Sequence, residues 1–265
     1  MPVSGSTHQD GKPPIRVLHQ LARCGGTLIA RCLASMEGVY LLSEIHPYTL
    51  RIFNPMSQAV RWYDLFTRED LKPLRDVPLN FADAIAIIAG KVAKRGGYLI
   101  VRDWTHIDFQ GIPFIPKPSY RLTTAELLSD KFQVINSATV RHPLDQFVSV
   151  NKLEGMEGLF EVEPYFHGYR RFAEMCPEIG FVRYEDFTRA PDRVLKTACE
   201  QLNIPFDPGY RERWMHYANI TGDKTGTHLT EITPQPRRKV EPELEARITA
   251  CPDYRRILEL LGYTH

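Results

Sequence analysis

The sequence lacks the features that define several specialised classes of protein. Its five cysteines stand singly, with no CxxC pair and no Cys/His cluster at zinc spacing, which predicts free thiols in a reducing compartment. It has no apolar leader and no apolar run near the ~20 residues of a membrane span, so we expect a cytoplasmic protein without membrane contact. A net charge of +1 excludes the strongly basic character typical of nucleic-acid binding. Any anion site must therefore be a local cluster of basic residues.

Internal repeats and low-complexity linkers are also missing. The length of 265 residues and a hydrophobic content of 43% are ordinary for a globular protein. The first residues are polar, so we predict a flexible N-terminal tail over residues 1–14 and a single domain over 15–265.

Short apolar segments alternate with stretches of helical periodicity. This pattern predicts an α/β fold with a central parallel sheet flanked by helices on both faces. Ligands of such sheets bind at the carboxyl ends of the strands, so the residues that follow each strand are the ones to read for chemistry. The predicted strands are 15–21, 39–42, 98–103, 132–140 and 179–183.

The first strand runs into a glycine turn and then a helix. The turn contains Arg23, Cys24, Gly25, Gly26 and Thr27. Glycines let a backbone approach an anion closely, and the first N–H groups of a helix favour negative charge. The absence of GxxxxGK[ST] argues against the P-loop of kinases and GTPases. Cys24 is either a small filler or a thiol whose pKa the helix start lowers.

Polar residues follow the other predicted strands as well. They are Ser43, Glu44 and His46, then Arg102, Asp103, Thr105 and His106, then Arg141 and His142, and finally Arg183, Tyr184, Glu185 and Asp186. A sheet edge that gathers so many costly polar groups indicates a binding site.

Together these segments resemble the sulfotransferase family, which uses 3′-phosphoadenosine 5′-phosphosulfate (PAPS) as sulfuryl donor. The resemblance covers most of the chain and lies closer to the bacterial and Golgi-type branches than to the drug-conjugating one. It implies a P-loop-like phosphosulfate loop at residues 23–27, a 3′-phosphate motif at Arg141 and Ser149, and an adenine contact at Tyr184. It also implies a late basic loop, formed by residues 222–226 with Arg237 and Arg238, that closes over the nucleotide.

The resemblance implies transfer of a sulfuryl group from PAPS to a hydroxyl or amine of a small-molecule or glycan acceptor, with PAP (3′-phosphoadenosine 5′-phosphate) as product. Arginines and helix N-termini carry the charge in such chemistry, so we expect no metal. Arg23 would neutralise the leaving phosphate. Glu44 and His106 are equal candidates for the base, with Asp103 and His46 as minor ones.

Each of these residues also has a purely structural interpretation. Arg23 could be a solvated loop arginine, Tyr184 a core aromatic and residues 237–239 a solvated basic run. The aromatic segment 47–66 is an acceptor wall or a helix whose rings pack inward, and Trp104 could border the same cleft. Two other functions fit the pattern: a non-catalytic module of the same fold that binds a nucleotide or phosphometabolite, and a small-molecule kinase.

Overall fold

A computed structural model describes residues 11–74, 77–222 and 231–265, and its centre is a five-stranded sheet. All four strand pairings are parallel, in the order β2-β3-β1-β4-β5. The strands are β1 (Pro14–Gln20), β2 (Val39–Ile45), β3 (Tyr98–Asp103), β4 (Gln133–Val140) and β5 (Phe181–Arg183). The predicted α/β class and parallel sheet are confirmed.

Helices connect the strands and continue after them. They are α1 (Gly26–Ala34), α2 (Pro55–Tyr63), α3 (Arg68–Leu71), α4 (Phe81–Lys94), α5 (His106–Phe109), α6 (Thr123–Ser129), α7 (Pro143–Val150), α8 (Val162–Ala173), α9 (Cys176–Ile179), α10 (Tyr184–Arg189), α11 (Pro191–Gln201), α12 (Tyr210–Arg213), α13 (Pro242–Ala250) and α14 (Pro252–Leu261). Single 3₁₀ turns lie at Pro47–Thr49, Lys72–Leu74 and Trp214–His216. None of the helices in the described ranges is long and apolar enough to cross a membrane.

The central strand, β1, has apolar side chains on both faces of the sheet, and helices therefore cover both faces. Ile15 and Val17 join a cluster with α2, α4 and α6. Leu18 joins the opposite cluster, with α1 and α11. A parallel strand buried on both faces is typical of α/β sheets. β1 therefore ends in the middle of the molecule, between β3 and β4, and delivers its loop to the centre of the carboxyl edge.

The strand that precedes Glu44 is longer than predicted. β2 continues to Ile45, and its pairing with β3 changes register between Leu42 and Ile45. Glu44 lies in this irregularity with a left-handed backbone, at φ +56°, which is uncommon for a residue other than glycine. The predicted end at residue 42 was wrong because polar residues within an apolar strand cannot be told from a loop by their sequence.

α6 begins without a side-chain capping bond. Its N-cap residue is Leu122, although two threonines follow directly. Both of their hydroxyls are used elsewhere: the Thr123 side chain donates to Asp108 at 2.6 Å, and the Thr124 side chain donates to Asp103 at 2.5 Å. Tertiary contacts to buried carboxylates thus replace the local capping bond.

Candidate active site

The loop after β1 adopts a conformation that suits close approach to an anion. Arg23 and Gly25 both have left-handed backbones, with φ of 64° and 82°, and Gly25 is the N-cap of α1. A β-carbon at Gly25 would lie 2.0 Å from the ring of Tyr184. Only glycine fits here, and the first turn of α1 follows directly, with N–H groups that lack helical partners.

Four predicted residues from distant parts of the chain meet beside this loop. The Arg23 Nε donates to the Ser149 hydroxyl at 3.0 Å, which joins the β1 loop to α7. The Arg141 Nη1 donates to the carbonyl of Arg23 at 3.3 Å. The Arg141 guanidinium also lies 4.9 Å from the centre of the Tyr184 ring. We call the group of Arg23, Arg141, Ser149, Tyr184 and Arg238 the arginine cradle.

The fifth member of the arginine cradle is Arg238, from the C-terminal part of the chain. The Arg238 Nη2 lies 3.4 Å from the Ser149 hydroxyl, so two guanidinium groups share that oxygen. Burial, together with the nearby charge of Arg141, lowers the pKa of Arg238. Arginines packed this closely repel one another, and a bound dianion would relieve that repulsion.

Buried atoms of the arginine cradle still have hydrogen-bonding capacity. The Nε atoms of Arg141 and Arg238 are both buried and have no hydrogen-bond partner within the part of the chain that the structure describes. Unsatisfied buried donors are rare and costly in folded proteins. Their presence among three arginines fits a phosphate with several acceptor oxygens.

Arg237 was predicted to close over the nucleotide together with Arg238, but its side chain lies outside the arginine cradle. Its Nε donates to Asp145 at 2.9 Å and its Nη2 to the Nδ1 atom of His142 at 2.8 Å. Burial and the Arg237 charge lower the pKa of His142 to about 4, so that imidazole is neutral at pH 7. Asp145 also accepts the backbone N–H of Arg238 at 2.7 Å. Arg237 thus supports the backbone that presents Arg238.

A second group surrounds Glu44 at the start of α1. Arg102 is buried, and its Nη2 donates to the Thr27 hydroxyl at 2.9 Å and lies 3.6 Å from the Glu44 carboxylate. A β-carbon on Gly222 would lie 2.7 Å from Glu44 Oε1 and 3.1 Å from Thr27 Oγ1. The glycine therefore leaves room beside both side chains. Residues 223–226 of the predicted late basic loop lie outside the described residues.

The sequence pattern gave Arg102 no role of its own. Besides Thr27, its guanidinium bonds the Ser43 hydroxyl at 2.7 Å and the Thr221 carbonyl at 3.1 Å. Burial lowers its pKa, while the charge of Glu44 opposes that shift. An arginine at the end of a buried strand is costly to bury, and that position was the signal available in the sequence.

His106 lies in a different environment from Glu44. The side chain is buried, its Nε2 lies 3.2 Å from the carbonyl of Ile112, and its ring packs against Phe160. Burial lowers its pKa to about 4. A general base must lie within hydrogen-bond distance of the proton that it removes, whatever its pKa. The described contacts of the His106 side chain are to Ile112 and Phe160, and none of them is to the group around Glu44.

The two minor candidates for the base belong to buried structural networks. Asp103 accepts hydrogen bonds from Thr105 and Thr124 and pairs with His19 at 2.9 Å. His46 lies 3.3 Å from Asp108, and both side chains are fully buried. His19 is thus a satisfied core histidine.

Burial raises the pKa of the Cys24 thiol, which agrees with a small filler and not with a reactive thiol. The sulfur lies 3.2 Å from the Thr139 hydroxyl, and all five cysteines are buried and unpaired. We expect Ellman's reagent to label the native protein at least ~100-fold more slowly than the unfolded chain, because buried protonated thiols are inert. Rapid modification of Cys24 in the folded protein, located by mass spectrometry, would contradict this.

Comparisons with known proteins find similar folds among solved structures. No protein-family model and no curated protein sequence matches the chain. Among solved structures, the sulfotransferase domain of the Synechococcus PCC 7002 olefin synthase matches with a TM-score of 0.61 and 21% identity, over 99% of this chain and 100% of that one. The sulfotransferase domain from the curacin biosynthetic pathway matches with a TM-score of 0.59 and 19% identity, over 95% and 98%. The chain therefore has the fold of these sulfotransferase domains.

Proposed function

We propose that this chain is a PAPS-dependent sulfotransferase that transfers a sulfuryl group to an acceptor hydroxyl. One observation carries the proposal: the Arg141 guanidinium reaches the Arg23 carbonyl at 3.3 Å. Arg141 was predicted for the 3′-phosphate and Arg23 for the 5′ side, and both lie in one cradle with Ser149 and Tyr184. Residues that bind the 3′-phosphate and the 5′ side of the same nucleotide must lie in one site. The likeness in fold to two sulfotransferase domains supports the same assignment.

The described residues fit such a nucleotide. Arg141, Ser149 and Arg238 offer donors for a 3′-phosphate, and two of those arginines hold buried N–H groups without partners in the described ranges. Tyr184 lies against the glycine turn with the Arg141 guanidinium over its ring, and it would contact the adenine in this proposal. Thr27, Arg102 and the start of α1 surround the position of the phosphosulfate.

Glu44 is the base in this proposal. As the acceptor oxygen bonds to sulfur, the bond from sulfur to the 5′-phosphate oxygen breaks and its electron pair leaves with PAP. The acceptor proton passes to the Glu44 carboxylate, which lies beside Thr27 and Arg102. Arg102 holds the carboxylate and the Thr27 hydroxyl on one guanidinium, so their relative position is fixed before the reaction. Arg23 and Arg102 stabilise the charge that develops on the leaving phosphate.

Other attributes of the enzyme stay predictions. A cytoplasmic location rests on the five separate free thiols. The bacterial or Golgi-type branch rests on Arg23, because the resemblance implies a lysine at this position in the drug-conjugating branch. The single domain over residues 15–265 rests on the absence of a linker in the sequence, and residues 1–10 of the predicted tail lie outside the described residues.

Isothermal titration with PAP and with ADP tests the nucleotide assignment. We expect PAP to bind at least ~10-fold more tightly, because only PAP carries the 3′-phosphate that Arg141 and Ser149 would contact through charge-assisted bonds. Equal weak binding of both nucleotides would count against the proposal. PAP binding without turnover on phenol, sugar and amino-alcohol acceptors would favour the non-catalytic module.

A further inference from the structure

Residues 262–265, which follow α14, pack against the segment that joins β4 to α7. The Tyr263 hydroxyl donates to one carboxylate oxygen of Glu185 at 2.7 Å, and the other oxygen accepts the backbone N–H of His142 at 2.9 Å. The Thr264 carbonyl lies 3.0 Å from the Nε2 atom of the buried His142 ring. These contacts hold His142, the N-cap residue of α7, by its backbone and by its side chain.

The two ring nitrogens of His142 have partners that require one protonation state. The Thr264 carbonyl can only accept a hydrogen bond, so Nε2 carries the proton. The Arg237 guanidinium can only donate, and its Nη2 lies 2.8 Å from Nδ1, so Nδ1 is unprotonated. The backbone N–H of Leu144, 3.3 Å from Nδ1, needs the same acceptor. All three contacts therefore require the neutral imidazole with its proton on Nε2.

Arg237 connects this imidazole to the backbone of the arginine cradle. Its Nη2 bonds the His142 ring, and its Nε bonds one oxygen of Asp145 at 2.9 Å. The second oxygen of Asp145 accepts the backbone N–H of Arg238 at 2.7 Å. A continuous series of hydrogen bonds thus joins the Thr264 carbonyl to Arg238, whose buried Nε has no partner within the described ranges.

The segment at the far end of this series is itself anchored. The Arg183 Nη1 donates to the Gly262 carbonyl at 2.5 Å. At the other end of the segment, the Tyr254 hydroxyl lies 2.9 Å from the Nδ1 atom of His265. Both ends of residues 262–265 are therefore fixed to the helices and strands around them, so the carbonyl and hydroxyl between those ends have defined positions.

We propose that His142, held by residues 262–265, is a positioning residue for the 3′-phosphate. Its unprotonated Nδ1 fixes Arg237, and Arg237 together with Asp145 fixes the backbone that presents Arg238. This assignment rests on the proposed function and adds to it residues that do not touch the nucleotide. Donors that are held in place before binding lose less entropy on binding, so freeing Arg237 should weaken the hold on the 3′-phosphate and spare the rest of the nucleotide.

Two amide substitutions separate the roles of the two ring nitrogens. In His142→Asn the amide oxygen occupies the place of Nδ1 and can still accept from Arg237. In His142→Gln the amide group reaches the place of Nε2, and nothing replaces Nδ1. We expect isothermal titration to give a Kd for PAP that is ~10-fold higher in His142→Gln and within about threefold of the unmodified value in His142→Asn.

AMP, which lacks the 3′-phosphate, is the matched ligand for both variants. Its Kd should stay within about threefold of the unmodified value in each. Both variants lose the imidazole ring and its packing against Tyr254 and Tyr263. A merely structural role of His142 therefore predicts the same change in both variants and for both ligands.

Tyr263→Phe tests the segment with a milder change, because the ring stays and only the hydroxyl bond to Glu185 is lost. The Kd for PAP should rise ~5-fold, and the Kd for AMP should not change. Tyr210→Phe is the control, since the hydroxyl of this buried tyrosine on α12 also donates to a carboxylate, that of Asp192, at 2.8 Å. It should leave the affinity for PAP unchanged.

Three results would overturn the positioning role and leave the proposed function intact. They are equal PAP affinities in His142→Gln and His142→Asn, an unchanged Kd for PAP in Tyr263→Phe, and equal losses of PAP and AMP binding. Failure of PAP to bind the unmodified protein would instead remove the proposed function, and this assignment with it.

Discussion

Replacing Arg141 with glutamine should weaken PAP binding by ~100-fold, a loss of about 2.7 kcal/mol. Arg141 bonds the Arg23 carbonyl, lies over Tyr184 and keeps a buried Nε without a partner in the described ranges. Glutamine removes the positive charge and the planar fork that a phosphate requires. Isothermal titration with PAP measures the change directly.

AMP provides the matched ligand, because it keeps the adenine and the 5′-phosphate and lacks the 3′-phosphate. The Arg141→Gln protein should bind AMP within about threefold of the unmodified protein, within the usual scatter of indirect effects. Arg256→Gln is the control variant, since Arg256 is exposed on α14. Equal losses for PAP and AMP would mean that Arg141 supports the loop and does not read the 3′-phosphate.

Local sequence patterns predict the positions of several residues of this site. A strand followed by a glycine turn and a helix predicts where Arg23 and Thr27 lie, because that geometry depends on adjacent residues. The same logic places Arg141 at the end of β4. The parallel sheet then brings both loops to one edge. Convergence of Arg23, Arg141 and Tyr184 was therefore predictable from the order of the elements, whereas the place of Ser149 came from the resemblance to the sulfotransferase family.

Features set by tertiary packing were not predictable in this way. Nothing local distinguishes Arg237 from Arg238, yet Asp145 draws one side chain away and directs the other toward Ser149. The burial of His106 depends on Phe160 and the carbonyl of Ile112, which lie in separate segments. The irregular pairing at Glu44 depends on β3. Each of these outcomes needs long-range contacts that periodicity does not encode.

The largest expected effect is the loss of the base at Glu44. The Glu44→Gln protein should lose between ~10² and ~10⁴ of kcat, the range that general-base catalysis contributes. Glutamine keeps the length of the side chain at a backbone position with φ of +56° and can still accept from Arg102. PAP affinity should stay within about threefold of the unmodified value, because the arginine cradle is untouched. Single-turnover measurement with bound PAPS and saturating acceptor isolates the chemical step.

The parallel substitution His106→Gln decides between the two candidates for the base. His106 is buried with a pKa of about 4 and contacts Ile112, so its loss should reduce thermal stability more than it reduces kcat. We expect kcat to remain within about tenfold of the unmodified protein, measured on the folded fraction. A loss of ~10³ or more in His106→Gln, with kcat retained in Glu44→Gln, would move the base from β2 to α5. Glu44 would then act only as the counter-ion that holds Arg102 beside Thr27.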